Sequence, residues 1–322
     1  MFLSITLLLI GLVVLVLGAE FLVRGASSIS KKAGIPPIVI GLTIVAFGTS
    51  APELIVNVFS AFAGTTDLAI GNVVGSNVAN VLLVLGASAL FVDLKVHKNT
   101  TWREIPFSFL AVMVLFFMSN DFFFDHGSSN ILSRSEGLTL LGFFAIFMFY
   151  TASLFSARKL SGNEDVQQVK VYKSSVAIFM TFLGLFSLFI GGKLLVNNAV
   201  ILARLAGMSE MLIGLTIVAI GTSLPELATS VAAAIKKQDD LAIGNIVGSN
   251  IFNIFWILGA TATISPIPLS NDANFDIFVC FFSTILLFTA LLIGRRHVLQ
   301  RWQGILMLLS YFIYLVYLII RG

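Results

Sequence analysis

Long apolar runs joined by short polar connections make up nearly the whole chain. Ten runs can be delimited, at about 2–24, 38–62, 68–91, 105–124, 137–156, 175–203, 211–235, 241–265, 275–294 and 303–320. An α-helix needs about 20 mostly apolar residues to cross the hydrocarbon core of a bilayer. The pattern therefore predicts an all-α membrane protein with ten transmembrane helices. The first run lacks the basic start of a signal peptide, so we expect it to be a span.

The composition agrees with a chain that lies in a lipid bilayer. Hydrophobic residues make up 58% and charged residues 11% of the chain, whereas soluble domains contain about 25% charged residues. The single cysteine, Cys280, excludes an internal disulfide and a cysteine-based metal cluster. No basic segment is interleaved with aromatic residues, so the net charge of +3 does not indicate nucleic-acid binding.

Lys and Arg residues are distributed unequally between the two sides of the predicted membrane. With ten spans, fifteen of them fall on the side of the odd-numbered connections and four on the other side. Positive residues accumulate in cytoplasmic loops. We therefore expect a multi-pass protein of the cell (inner) membrane whose two termini are extracytoplasmic.

One segment of the chain occurs twice. Residues 41–86 align without gaps with residues 214–259 at a constant offset of 173, and 27 of the 46 positions are identical. Because five spans is an odd number, the second copy enters the membrane from the opposite side. Inverted repeats are typical of secondary transporters with a substrate site at mid-membrane. The sequence predicts a first five-helix repeat at 1–157, a short cytoplasmic linker at 158–173 and an inverted second five-helix repeat at 174–322.

A proline follows a Gly-Thr-Ser triplet at the same place in each repeat, in GTSAPEL and GTSLPEL. Pro52 and Pro225 lack an amide hydrogen and disturb the helix one turn earlier. We expect each helix to be broken here, and the carbonyls around Ala46 to Thr49 and Ala219 to Thr222 to be freed. Free carbonyls at membrane depth line a cavity or meet a cation.

Each broken helix also carries one carboxylate inside an apolar run. A charged side chain at mid-membrane is costly and marks a functional site by default. Glu53 and Glu226 share a helix face with two hydroxyl residues each, namely Thr49, Ser50, Thr222 and Ser223. An all-oxygen site with two carboxylates suits hard cations such as Ca²⁺ and Na⁺. The alternatives are kinked helices with protonated or base-paired Glu residues, and hydroxyls that bond back to their own helix.

The third and eighth spans carry a second duplicated motif, GNVVGSNVAN and GNIVGSNIFN. Glycines four residues apart let neighbouring helices approach closely, and the motif places them at Gly71, Gly75, Gly244 and Gly248. Serine and asparagine four residues apart form a polar stripe, at Ser76, Asn80, Ser249 and Asn253. We favour a stripe that completes the ion sites over one that only bonds neighbouring helices. Both interpretations stay open for Asn72, Asn77, Asn245 and Asn250.

These duplicated motifs resemble the alpha repeats of the sodium/calcium exchanger family, within the calcium:cation antiporter superfamily, and the resemblance covers the whole ten-span plan. It implies two inverted five-helix halves around a cluster of sites used alternately by one Ca²⁺ or by Na⁺ ions, with access switched by sliding of the first and sixth helices. By this resemblance, Ca²⁺ would be held by Glu53, Glu226 and the carbonyls of Thr49 and Thr222. Na⁺ would use those carboxylates with Ala46, Ser50, Ser76, Ala219, Ser223 and Ser249. Asn80 and Asn253 would line the middle. We expect no cofactor beyond the transported ions, and a monomer to suffice for transport.

Asn253 departs from part of this family. Some prokaryotic members and the potassium-dependent exchangers carry aspartate there, so the site loses an ionisable group and potassium dependence is not expected.

The two carboxylates would be neutralised by one Ca²⁺, whereas three Na⁺ would leave the site positively charged, so the family's exchange of three Na⁺ for one Ca²⁺ would be electrogenic. The linker is too short for the calcium-sensing domains that animal exchangers insert, and we expect no such regulation.

Other function classes fit the sequence less well. An intramembrane enzyme would need a nucleophile with a base or a metal motif, and the chain has no H-E-x-x-H sequence. A cation channel could use similar ligands, but an inverted repeat with broken helices favours alternating access. The alternative that stays open is a proton/calcium antiporter or another cation/calcium exchanger, because a buried Glu can titrate. The hydroxyl-rich sites favour sodium.

Overall fold

Helices account for nearly all of the structure, as the apolar runs predict. The structure is a computed structural model that describes residues 1–63, 66–120, 130–158, 170–207, 219–269 and 271–321. Its α-helices are α1 (Phe2–Ala33), α2 (Pro37–Ile40), α3 (Ala46–Thr49), α4 (Ala51–Ala63), α5 (Thr66–Ala79), α6 (Gly86–Phe91), α7 (Lys98–Trp102), α8 (Glu104–Met118), α9 (Arg134–Arg158), α10 (Ser174–Leu205), α11 (Ala219–Thr222), α12 (Leu224–Ile235), α13 (Asp239–Ile251), α14 (Gly259–Ile264), α15 (Asn271–Ala290) and α16 (Arg301–Arg321).

Within the described ranges, two short antiparallel strand pairs join distant parts of the chain. The strands are β1 (Leu94–Lys95), β2 (Ile131–Leu132), β3 (Ile267–Pro268) and β4 (Val298–Leu299). β1 pairs with β4, and β2 pairs with β3. Each pair therefore connects the first half of the chain to the second.

The described residues contain eight single helices long and apolar enough to cross a membrane, and one bent pair, Pro37–Thr49 with Ala51–Phe62. These helices match nine of the ten predicted spans. The largest difference is in α1, which continues to Ala33, beyond the predicted end near residue 24. Most of its small residues beyond that point are buried, and Gly25 packs against Ala177 and Thr181 of α10. The predicted span at 211–235 lies partly outside the described residues, as does most of the predicted linker.

α1 and α10 pack against each other through glycines. A Cβ atom on Gly11 would lie 3.0 Å from the carbonyl oxygen of Gly191, and one on Gly18 would lie 3.0 Å from that of Gly184. Because these distances leave no room for a side chain, the two backbones are in direct contact. The two contacts are reciprocal, since the 173-residue offset relates Gly11 to Gly184 and Gly18 to Gly191.

The broken helices occur where the prolines predict them. Ser50 separates α3 from α4 with φ −83° and ψ 9°, and the two parts are bent by 48°. Ser223 separates α11 from α12 with nearly the same angles, φ −86° and ψ 4°. Pro52 and Pro225 lie in the first turns that follow. Their missing amides prevent a continuous helix at these positions.

Glycines of α13 contact the segment that runs from α2 to α3. A Cβ on Gly244 would lie 2.8 Å from the carbonyl oxygen of Ile38, and one on Gly248 would lie 2.8 Å from Cα of Leu42. The predicted close approach is confirmed for this pair. Outside their own helix, no described atom lies within 4 Å of a Cβ built on Gly71 or Gly75. The segment that repeats positions 41–46 is 214–219, most of which lies outside the described residues.

Among the described residues, three π-helical segments interrupt the helices. They are Gly41–Val45, Asn80–Leu85 and Phe252–Leu258. The second follows α5 and the third follows α13, so they occupy matching places in the two halves. Wide turns of this kind are frequent at functional sites. They place Asn80 and Asn253 at or next to the start of a wide turn.

Candidate ion-binding site

The two intramembrane carboxylates lie in the first turns of α4 and α12, directly after the helix breaks. Glu53 and Glu226 are each only 1% exposed. Ser76 donates a hydrogen bond to Oε1 of Glu53 at 3.3 Å, and Ser249 donates one to Oε1 of Glu226 at 3.3 Å. The 173-residue offset relates these two contacts to each other. In each half, therefore, the broken helix supplies a carboxylate and the next span supplies a hydroxyl.

A hydroxyl from the first half also reaches the carboxylate of the second. Ser50 donates a hydrogen bond to Oε1 of Glu226 at 2.9 Å. The Thr49 side chain lies against Glu226 as well, and that of Thr222 lies against Glu53. The two carboxylates are close enough to repel each other electrostatically. The two halves thus form one polar centre rather than two separate ones.

Each carboxylate keeps one oxygen atom for another partner. Oε2 of Glu53 and Oε2 of Glu226 are buried and accept no hydrogen bond from the described residues. No ion pair within the described ranges involves either residue. A buried carboxylate is unfavourable unless a cation or a proton neutralises it. The alternative of base-paired Glu residues therefore finds no support in the described part of the chain.

The atoms around this centre are oxygens of carboxylates, hydroxyls and amides. In the part of the chain that the structure describes, no three His, Cys, Asp or Glu side chains come together as a metal cluster. Transition metals would favour imidazole or thiolate ligands, whereas Na⁺ and Ca²⁺ take oxygen ligands. The composition of the site therefore fits hard cations.

The carbonyl of Ala46 is not free, contrary to the prediction. It accepts the backbone amide of Ser50 at 3.0 Å, and the hydroxyl of Thr49 lies 3.3 Å from it. The helical hydrogen bond persists because the missing amide of Pro52 affects the carbonyl four residues earlier, which is that of Gly48. A second lone pair on the Ala46 oxygen would still have to be shared between the Thr49 hydroxyl and an ion.

The hydroxyls of the two breaks differ in their contacts. The hydroxyl of Ser223 is buried and has no hydrogen-bond partner among the described residues, whereas that of Ser50 bonds Glu226. Thr49 reaches the second half, with its hydroxyl 3.0 Å from the side-chain oxygen of Asn245. Ala219 is the first residue described after position 207, and its side chain lies outside the described part.

Four buried asparagines link the two halves beside the carboxylates. Asn80 donates from Nδ2 to Oδ1 of Asn250 at 3.0 Å, and Asn253 donates from Nδ2 to Oδ1 of Asn77 at 2.9 Å. The 173-residue offset relates Asn80 to Asn253 and Asn77 to Asn250, so each contact is the equivalent of the other. Oδ1 of Asn80 and Oδ1 of Asn253 accept no hydrogen bond from the described residues. The polar stripe therefore bonds neighbouring helices and also leaves oxygen atoms that a cation can use.

Three buried polar residues near the carboxylates are absent from the predicted site. Nδ2 of Asn57 donates to the carbonyl of Glu53 at 2.8 Å, and Ser230 accepts a hydrogen bond from Asn245 at 3.0 Å. The third, Thr229, is buried next to Ser230. Asn57 and Ser230 lie one helical turn after the two Glu residues and are related by the 173-residue offset. This spacing is the signal that identifies them in the sequence.

The family is decided by a match that covers both halves of the chain. A sequence model described as sodium/calcium exchanger protein matches residues 3–152 and 176–320. The chain belongs to the sodium/calcium exchanger family. Members of this family are membrane antiporters, and the matched ranges include both intramembrane carboxylates of the chain.

Relatives of this exchanger match it over nearly their full length. The sodium/calcium exchanger MaX1 of Methanosarcina acetivorans is 33% identical over an alignment of 350 positions, gaps included, that covers 97% of each chain. The inner membrane protein YrbG of Escherichia coli is 34% identical over an alignment of 305 positions, gaps included, that covers 92% of this chain and 90% of YrbG. A solved structure of the sodium-calcium exchanger NCX_Mj, soaked with 10 mM Na⁺ and zero Ca²⁺, has a TM-score of 0.83 and 30% identity over 98% of both chains. This exchanger therefore has the helical membrane fold of NCX_Mj.

Proposed function

We propose that this exchanger moves Na⁺ and Ca²⁺ in opposite directions across the membrane by alternating access, and that both ions use the centre formed by Glu53 and Glu226. The observation that carries the proposal is the hydrogen bond of 2.9 Å between Ser50 of the first half and Glu226 of the second. A site shared by two halves changes its access when one half moves against the other. The names of MaX1 and NCX_Mj support Na⁺ and Ca²⁺ as the exchanged ions.

The proposed ligands combine the resemblance with the observed burial. Ca²⁺ is held by the carboxylates of Glu53 and Glu226 and by the carbonyls of Thr49 and Thr222. Na⁺ ions use the same carboxylates together with Ala46, Ser50, Ser76, Ala219, Ser223 and Ser249. Asn80 and Asn253 line the middle of the site. The oxygen atoms without donors on both carboxylates support this assignment.

The charges of the site and of the ions determine whether the exchange carries net charge across the membrane. Two carboxylates neutralise one Ca²⁺, whereas three Na⁺ ions leave one positive charge in excess. An exchange of three Na⁺ for one Ca²⁺ therefore carries net charge across the membrane. A membrane potential contributes about 2.3 kcal/mol per elementary charge and 100 mV to such a cycle.

The proposed architecture is ten spans in two inverted five-helix halves, at 1–157 and 174–322, joined by a linker at 158–173. Reciprocal contacts support it. The 173-residue offset converts the contact of Gly11 with Gly191 into the contact of Gly184 with Gly18. It relates the two Ser–Glu contacts in the same way, and also the two Asn–Asn contacts. The bias of Lys and Arg supports extracytoplasmic termini in a cell (inner) membrane. We further propose that a monomer suffices for transport.

A proton/calcium antiporter is the second candidate. The two buried carboxylates have no basic partner among the described residues, so protons could neutralise them in place of Na⁺. The hydroxyls around the carboxylates favour Na⁺, because a proton needs no cage of oxygen ligands. The coupling ion is therefore the property that an experiment has to decide.

Proteoliposomes that contain the purified protein test the proposal. Uptake of ⁴⁵Ca²⁺ is compared between vesicles loaded with Na⁺, K⁺ or choline at equal pH on both sides, and vesicles with an imposed pH gradient. Sodium/calcium exchange predicts uptake with internal Na⁺ alone. Uptake driven by the pH gradient and not by Na⁺ would reject it in favour of proton/calcium exchange.

A further inference from the structure

The hydrogen bonds of Asn77 define the orientation of its amide group. Nδ2 of Asn77 donates to the backbone carbonyl of Asn250 at 3.2 Å. A carbonyl oxygen can only accept, so the amide nitrogen of Asn77 has to face it. The side-chain oxygen of Asn77 therefore faces the other way, towards Asn253.

The orientation of Asn77 in turn defines that of Asn253. Oδ1 of Asn77 accepts Nδ2 of Asn253 at 2.9 Å. Since an oxygen acceptor needs a donor, the nitrogen of Asn253 faces Asn77 and its oxygen is turned away. In the other half, Nδ2 of Asn80 donates to Oδ1 of Asn250 at 3.0 Å.

The oxygens that are turned away lie on the faces that carry the site. Ser249 precedes Asn253 by four residues and bonds Glu226, and Ser76 precedes Asn80 by four residues and bonds Glu53. Both amide oxygens are buried and accept no hydrogen bond from the described residues. Buried acceptor atoms normally have a hydrogen-bond donor or a cation as a partner, so these two oxygens are candidate ligands for a cation.

We propose that Asn77 and Asn250 are positioning residues that hold the amides of Asn253 and Asn80 with their oxygens towards the transported cation. The inference rests on the proposed function. A primary amide can turn over and present its NH₂ group, which repels a cation. The acceptor on the neighbouring helix prevents that rotation. A carboxylate has an oxygen on both sides, so it needs no such acceptor.

This difference between an amide and a carboxylate supplies the test. Equilibrium binding of ⁴⁵Ca²⁺ to the purified protein is measured for the wild type, Asn77→Ala, Asn253→Asp and the double variant. We expect Asn77→Ala to raise the dissociation constant about tenfold in the wild-type background, as for the loss of one ligand interaction. In the Asn253→Asp background, the same substitution should change the dissociation constant by less than about twofold.

The contrary results are distinct. An equal increase in both backgrounds would show that Asn77 acts only through packing, and no increase in the wild-type background would show that it does not act on the ion; either result overturns the inference. A wild-type protein that binds no Ca²⁺ would overturn the proposed function as well. A normal wild-type dissociation constant with an unaffected Asn77→Ala variant would overturn the inference alone.

The second half of the site provides an independent repetition. Asn250→Ala is measured with and without Asn80→Asp, and the same dependence on background is expected. This pair decides the question if Asn77→Ala does not fold. Ser88→Ala is the control, because Ser88 is a fully buried polar residue on α6 whose hydroxyl forms no hydrogen bond with any described residue, the Glu pair included. Its dissociation constant should equal that of the wild type.

Discussion

The hydroxyl of Ser50 donates a hydrogen bond of 2.9 Å to Glu226, although the two residues lie 176 positions apart in the chain. Ser50 lies at the break of the first half, and Glu226 lies in the first turn after the break of the second. The contact therefore joins the two repeats at the point where each helix is interrupted. In the proposed alternating-access cycle, a movement of one half against the other would change this contact and the proposed ion site together.

Replacing Glu53 by Gln should abolish calcium exchange without unfolding the protein, because the amide keeps the shape of the side chain and loses its charge. Uptake of ⁴⁵Ca²⁺ into Na⁺-loaded proteoliposomes measures the effect, and size-exclusion chromatography checks the fold. Glu104→Gln is the matched control, since Glu104 is also a buried carboxylate but lies in α8, where it accepts a hydrogen bond from Tyr150. Near-normal exchange by Glu53→Gln would remove Glu53 from the site.

Removing the hydroxyl of Ser50 should weaken the coupling to Na⁺. The Ser50→Ala variant loses a hydrogen bond to a carboxylate and one proposed Na⁺ ligand, an effect of about 1.5–3 kcal/mol for an interaction with a charged group. We expect the Na⁺ concentration that gives half-maximal Ca²⁺ uptake to rise at least about tenfold. If Ser50→Ala and wild type have the same Na⁺ dependence, Ser50 is not a ligand.

Two adjacent glycines of α10 should respond differently to a methyl group. A Cβ on Gly191 would lie 2.6 Å from the backbone nitrogen of Leu15, whereas a Cβ on Gly192 would come no closer than 3.7 Å to another atom, on the Leu15 side chain. Gly191→Ala should therefore destabilise the protein by about 1–3 kcal/mol, as overpacking does. Gly192→Ala should be close to neutral.

Thermal unfolding in detergent measures this difference. A lower melting temperature for Gly191→Ala than for Gly192→Ala is the expected result. Equal melting temperatures would show that α1 and α10 are not in direct backbone contact.

Replacing Asn253 by Asp should change the ion dependence of transport. The substitution adds an ionisable group beside the carboxylate pair, since Asn253 is buried and lies one turn after the Ser249 that bonds Glu226. We expect exchange to become sensitive to K⁺ or to pH. Uptake assays with internal Na⁺, with and without K⁺ and at two pH values, measure it. An unchanged dependence would mean that Asn253 only lines the site.

The repeat makes much of the site predictable. Because the 173-residue offset aligns Glu53 with Glu226 and Ser76 with Ser249, the proposed inverted repeat accounts for their convergence. The helix breaks at Ser50 and Ser223 likewise follow from the prolines, because the loss of an amide has a local effect. These features depend on sequence spacing alone.

Other features depend on contacts that spacing does not define. The free carbonyl expected at Ala46 is occupied, because the position at which the helix breaks decides which carbonyl loses its donor. The π-helical turns that begin at Asn80 and Phe252 are not predicted from the hydrophobic pattern, which continues through both of them. The apolar run does not predict the end of α1 at Ala33, because polar residues continue the helix beyond that run.

The central claim, that Na⁺ and Ca²⁺ use one site at Glu53 and Glu226, is tested most directly by displacement of bound ⁴⁵Ca²⁺ from the purified protein. Increasing Na⁺ at constant ionic strength, with K⁺ as the balancing ion, should displace all bound Ca²⁺ and raise its apparent dissociation constant without changing the number of sites. Calcium that stays bound at saturating Na⁺, or that K⁺ displaces equally well, would contradict the claim.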